Sequence, residues 1–159
     1  DQIQDFDAVP GWRMLLLQSS DPSDPSKGIA SIPRENERKI RGKEMPRPDL
    51  KADELSDEYL SVLVKEKDDP TSPYYDESGM TPEDWFVSFM THLRETGQSL
   101  DNHQNGRDSI AHLTGSFLPR FAHVPNACWN KGLYQASLSL DPAGGHWNKG
   151  NGIRSSVEI

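Results

Sequence analysis

The spacing of apolar residues changes along the chain and separates helical segments from extended ones. In residues 54–66, leucine and tyrosine side chains recur at spacings of three and four, which places them on one face of a helix. Residues 81–96 follow the same period, with Thr81 suited to cap the helix and Gly97 to end it. A third stretch with this spacing, residues 108–118, predicts a shorter helix.

Other segments have the pattern of β-strands. Residues 11–18 form a short apolar run between turn-forming residues, which is typical of a buried strand. Residues 133–140 and 152–159 alternate apolar and polar side chains, as in strands with one buried face. In 133–140 the predicted buried face consists of Tyr134, Ala136, Leu138 and Leu140. The chain is therefore predicted to be α+β, with a small antiparallel sheet of these three strands, about three helices and long irregular segments.

The composition predicts a thin core. Hydrophobic residues make up 33% of the 159 residues, which is low for a globular protein. The length fits one domain, residues 1–159, with an irregular charged arm at about 19–53. A thin core is typical of a loop-rich domain or of one that is completed by a partner.

Charge is segregated along the arm and the segment that follows it. Residues 34–51 contain seven basic and four acidic side chains, whereas residues 52–84 contain eleven acidic side chains and two lysines. One interpretation is that these are solvated faces, or halves that pair with each other. The other is a basic arm that docks on an acidic partner.

The totals argue against several classes of function. The net charge of −8 argues against binding of the nucleic-acid phosphate backbone. No apolar run approaches the roughly 18–20 residues that span a bilayer, so a soluble protein is predicted. The single cysteine excludes an internal disulfide and leaves the compartment open between cytoplasmic and secreted.

A four-residue sequence, Trp-Asn-Lys-Gly, occurs twice, at 129–132 and at 147–150. Asn and Gly favour turns, and Trp can anchor a turn to the core, so one interpretation is two similar turns beside two strands. The alternative is a binding signature in which Trp and Lys are displayed together for a ring and an anion.

The second copy lies in the glycine-rich segment 141–152, which is long for a connection between neighbouring strands. Ordering this many glycines costs entropy, which favours a ligand-facing segment over a simple connector. The predicted binding residues are Trp147, Asn148 and Lys149, with Trp129 and Lys131 from the first copy.

The same region suggests a catalytic alternative. If the two turns are neighbours, Cys128 and His146 approach each other, with His123 as a further candidate, and a thiolate beside an imidazole is an acyl-transfer nucleophile. The sequence contains no HExxH, CxxC or nucleotide-binding motif, so it predicts no metal site and identifies no cofactor.

Two functions remain as hypotheses. The first is a non-catalytic interaction subunit or binding module that associates with a protein partner or another subunit, as a processed chain or a fragment of a larger assembly. A sequence that ends within a predicted strand favours this interpretation. The second is a small hydrolase or transferase with a Cys/His-centred site near 141–152.

Overall fold

A computed structural model describes residues 13–16, 55–72, 74–103, 110–118, 120–142 and 151–158. These residues form two α-helices and two β-sheets, which confirms the α+β class. The elements in chain order are β1 (Arg13–Leu16), α1 (Ser56–Glu66), β2 (Glu77–Gly79), α2 (Pro82–Thr96), β3 (Asn102–His103), β4 (Ile110–His112), a 3-10 helix (Thr114–Ser116), β5 (His123–Asn130), β6 (Gln135–Pro142), β7 (Asn151–Ile153) and β8 (Ser155–Glu158). The predicted charged arm lies outside the described residues.

Both long helices form where the apolar spacing predicts them. At the start of α2, the Thr81 hydroxyl accepts from the Asp84 N–H at 3.2 Å, and the Asp84 carboxylate accepts from the Thr81 N–H at 3.0 Å. This reciprocal pair satisfies two backbone donors that a helix start otherwise leaves without partners. Gly97 ends α2 in the left-handed conformation, with φ of 70°.

The strands form two sheets instead of the predicted one. In the smaller sheet, β8 lies between β1 and β2 and is antiparallel to both. In the larger sheet, β5 is the central strand: β6 pairs antiparallel along its whole length, and β3 and β4 pair with parts of its other side. β7 extends this sheet beyond β4.

The predicted strand 152–159 is therefore divided between the two sheets. Ile153 ends β7 in the larger sheet, and β8 starts at Ser155 in the smaller one. Arg154 occupies the junction, where its C=O accepts from the Met80 N–H at 3.1 Å. The predicted strands 11–18 and 133–140 do form, as β1 and β6, but they belong to different sheets.

The predicted third helix, 108–118, is wrong. Ile110–His112 is the strand β4, and only Thr114–Ser116 is helical, as one 3-10 turn. Pairing of β4 with β5 and β7 outweighs the helical spacing. Gly115 also packs against the backbone of Gly79, where a Cβ would lie 2.3 Å from the Gly79 oxygen, so this close approach requires glycine.

Each face of the larger sheet carries one helix and one apolar cluster. On one face, α1 packs through Tyr59 and Leu63 against Tyr74 and Ile153. On the other face, α2 covers a larger buried cluster, and its residues are Met80, Trp85, Phe89, Leu100, Ala111, Leu113 and Ala127. The α2 face of the sheet is the one from which the candidate functional surface is built.

Candidate functional site

The side of β6 that the sequence predicts to be buried is largely exposed. Leu138 and Leu140 are 45% and 53% exposed, and Tyr134 beside the strand is 78% exposed. In the antiparallel pair, Leu138 lies opposite Ala127 and Leu140 lies opposite Pro125, so both point to the α2 face of the sheet. The alternation thus predicted the strand, but α2 does not cover this part of it.

The position of α2 explains this exposure. Phe89 stacks on Trp129 of β5, with ring centroids 5.6 Å apart and an interplanar angle of 25°. On one side of Phe89, the Trp85 indole N–H donates to Asp101, directly before β3. Because β3 and β6 flank β5 on opposite sides, the other flank of α2 faces β6.

That other flank is also apolar. Phe86 and Met90 are 39% and 59% exposed. The centre of the buried side lies elsewhere and consists of Trp85, Ser88, Phe89 and His92. We use "open apolar face" for the surface formed by Phe86 and Met90 of α2 with Leu138 and Leu140 of β6.

The half-buried side chains of Leu93, Trp129 and Ala136 pack against the α2 cluster. Ala136 lies opposite Trp129 in the β5–β6 pair.

The first Trp-Asn-Lys-Gly copy spans the end of β5 and the start of the turn that follows it. Trp129 is anchored in the core, and the Asn130 side chain accepts from the Leu133 N–H at 3.1 Å. Lys131 is exposed in the turn between β5 and β6. In this turn Tyr134 has a positive φ, of 52°, and Gly132 does not. Gly132 is therefore not required for a left-handed conformation.

The second copy lies outside the described residues. Trp147, Asn148, Lys149 and His146 are all in this segment, between β6 and β7. Binding through these side chains, and a meeting of His146 with Cys128, stay predictions.

The structure does not bring Cys128 and His123 together. Both lie on β5, five positions apart, which at about 3.3 Å per residue is roughly 16 Å, and strand alternation directs them to opposite faces. Cys128 is only 8% exposed, and the His123 ring Nδ1 is hydrogen-bonded to the Phe121 C=O. The His123 imidazole is therefore not beside the Cys128 sulfur.

Arg154 and Asp101 form a buried charged pair beside the α2 cluster, and the sequence pattern does not predict it. Arg154 donates to both Asp101 carboxylate oxygens, at 2.8 and 2.7 Å, and neither side chain is exposed. Asp101 also accepts from the Trp85 indole at 2.8 Å. The strand alternation placed Arg154 on a polar face, and nothing in the local sequence indicates that Asp101 is its partner.

His112 is a second buried polar group that the sequence did not identify. Its ring lies between β4 and α1, with its centroid 6.3 Å from that of Tyr59, and Nδ1 has no hydrogen-bond partner in the described part of the chain. Burial lowers the pKa of His112, and the carboxylate of Asp141 partly opposes this effect. Burial therefore disfavours the protonated form of His112.

The described residues contain no group of three or more His, Cys, Asp or Glu side chains placed to hold a metal ion. Among the helices in these residues, none is long and apolar enough to cross a membrane.

Comparison with known proteins assigns no relative. No protein-family model matches this chain, and no significant match is found among curated proteins or among solved structures.

Proposed function

We propose that this protein is a non-catalytic interaction subunit that binds another polypeptide through the open apolar face. The observation that carries the proposal is the exposure of Leu138 and Leu140 on the same side of the sheet as the exposed flank of α2. Large apolar side chains that are exposed together on one side of a protein are typical of protein-binding sites.

The binding free energy depends on how much of this apolar surface a partner covers. Full burial of a Leu, Met or Phe side chain contributes about 1.5–3 kcal/mol. The four side chains of the open apolar face are together able to supply a substantial part of a binding free energy, before the cost of association is subtracted. Phe86 supplies an aromatic side chain, a class enriched in the central part of interfaces.

The hydrolase or transferase alternative gains no comparable support. A catalytic thiolate needs an accessible sulfur beside a base, whereas Cys128 is buried and lies on the face opposite to His123. The remaining catalytic candidate, His146, lies outside the described residues.

Site-specific photocrosslinking tests the proposal. Benzoylphenylalanine in place of Leu140 reports on the open apolar face, and the same group in place of Val64 is the control, because Val64 is 67% exposed on α1 at the other face of the sheet. In cells that produce the protein, we expect covalent protein adducts from position 140 in excess of those from position 64. Equal adduct yields at the two positions, or none, would contradict the proposal.

A further inference from the structure

We propose that the occupant of the open apolar face is a second copy of this chain, joined by antiparallel pairing of β6 with β6. This inference rests on the proposed function and names its partner. Three features of β6 support this pairing: the direction of its backbone groups, the register that they permit, and the charges along the strand.

In the described part of the chain, β6 is an edge strand whose outer side is not paired. Among the described residues it pairs with β5 alone, over eight residues. Exposed edges are usually protected by lysine, proline, a bulge or an inward charge. Residues 135–140 contain no charge and no proline, and Asp141 and Pro142 stand only at the end. This edge is therefore able to pair with another strand.

The direction of the backbone groups follows from β5. The Pro125 C=O accepts from the Leu113 N–H, beside β4, and the Trp129 N–H donates to the Asp101 C=O, beside β3. Because successive strand residues point their N–H and C=O groups to opposite sides, Asn126 and Cys128 direct theirs to β6.

The partners of Asn126 and Cys128 in β6 are Ser139 and Ser137. The residues between and beside these serines, Ala136, Leu138 and Leu140, consequently direct their backbone groups away from β5. The exposed edge thus carries three residues whose backbone groups point outward, and all three side chains lie on the α2 face.

One symmetric register uses all three residues. With Leu138 opposite Leu138 of the second copy, Ala136 lies opposite Leu140, and each of the three pairs exchanges two backbone hydrogen bonds. Pro142, which lacks an N–H, then lies beyond these pairs, opposite Tyr134. A two-fold axis through the Leu138 pair generates this arrangement, so the same patch serves both copies.

The charges permit this register. Asp141 lies opposite the uncharged Gln135 of the second copy, so no like charges face each other across the pair. The two-fold axis is perpendicular to the sheet and keeps both α2 helices on one side of it. The Leu138 and Leu140 side chains of both copies then lie on the same face of the joined sheet and contact each other across the strand pair.

The oligomeric state of the full chain tests the pairing. In sedimentation equilibrium at about 0.15 M salt, where surface repulsion is screened, the wild type is expected to dimerise. Leu138→Lys places two lysines opposite each other and should raise the dimer Kd by about tenfold or more. Val64→Lys adds the same charge at an exposed site on α1 and should leave the dimer Kd unchanged.

Disulfide trapping tests the register. Opposed Cα atoms in a hydrogen-bonded antiparallel pair are about 5.5 Å apart, within the range of about 4.4–6.8 Å that a disulfide spans. Leu138→Cys should therefore form a covalent dimer on oxidation. Ala136→Cys should not, because in this register the two copies of position 136 are roughly 13 Å apart.

The outcomes separate this inference from the proposed function. A monomeric wild type whose Leu138→Cys variant does not crosslink overturns the pairing. If the photocrosslinks at position 140 then join a different protein, the interaction function stands and self-pairing fails. If they join nothing, both proposals fail. A dimer trapped equally well at position 136 overturns the register.

Discussion

The two flanks of α2 have opposite chemistry. On the β3 side, the helix buries an ion pair, with the Trp85 indole N–H bound to an Asp101 carboxylate that Arg154 also binds. On the β6 side it exposes Phe86 and Met90, and the leucines of β6 are exposed on the same side of the sheet. Charged groups are thus inside and apolar groups outside, which is the reverse of the usual distribution.

Burial in this fold therefore depends on where α2 is held, and not on hydrophobicity alone. The hydrogen bond between Trp85 and Asp101, together with the stacking of Phe89 on Trp129, fixes α2 over β3 and β5. With the helix fixed there, β6 is left beyond its reach. The buried flank stabilises the chain, and the open flank is available for association.

The largest expected loss of stability follows from a substitution on the buried flank of α2. Trp85→Ala should lower the free energy of unfolding by about 3–5 kcal/mol for the lost packing, with about 1 kcal/mol more for the hydrogen bond to Asp101. Urea denaturation measures the loss. The control is Phe86→Ala on the adjacent, exposed position, which should cost about 1 kcal/mol or less. Similar losses for the two variants would contradict the distinction between the flanks.

Breaking the ion pair should have the next largest effect. Arg154→Met keeps much of the side-chain length but leaves a buried carboxylate with one ionic partner removed, which typically costs about 3–5 kcal/mol. Arg94→Met, at an exposed position in the last turn of α2, is the matched control and should change stability by about 0.5 kcal/mol or less. If urea denaturation shows no difference between these variants, the ion pair does not hold α2 in place.

A smaller effect should appear in the pH dependence of stability. Burial lowers the pKa of His112 below its ordinary value of 6.5, so the unfolded chain binds a proton more readily than the folded one. The stabilisation is complete above the unfolded pKa and is lost as the pH falls through 6.5 towards the folded pKa.

His112→Gln removes this titration. Between about pH 7.5 and about pH 5.5, the wild type should lose more stability than the variant. His92 remains in both proteins, and its pKa is lowered first by burial and then by Arg154, so its contribution is common to the two curves. Parallel curves would show that His112 does not contribute to the pH dependence.

The local signals in the sequence predict the helices well. Thr81 and Gly97 mark the ends of α2, and both act as predicted, because capping depends on groups within a few residues. The helix at 108–118 fails because its apolar spacing is local, whereas the pairing of β4 with β5 and β7 comes from distant segments.

Only part of the candidate surface could be predicted from the sequence. Alternation identifies the apolar side of β6, but it does not show whether another element covers that side. That depends on the direction in which Asp101 and Arg154 hold α2, and these two residues are far apart in the sequence. The catalytic and loop predictions that involve His146 and Trp147 concern residues that the structure does not describe.

The central place of β8 in the smaller sheet has a consequence for folding kinetics. Its neighbours β1 and β2 precede it by long stretches of chain, as the pairs Leu15 with Ser156 and Ser78 with Ser156 show. Closing such large loops costs entropy before any pairing compensates for it, so chains dominated by distant contacts fold in about milliseconds to seconds. During that interval β6, whose partner β5 is only a short turn away, forms its hairpin early. The apolar edge is therefore present before the rest of the fold is complete, and productive folding competes with premature strand association at high protein concentration.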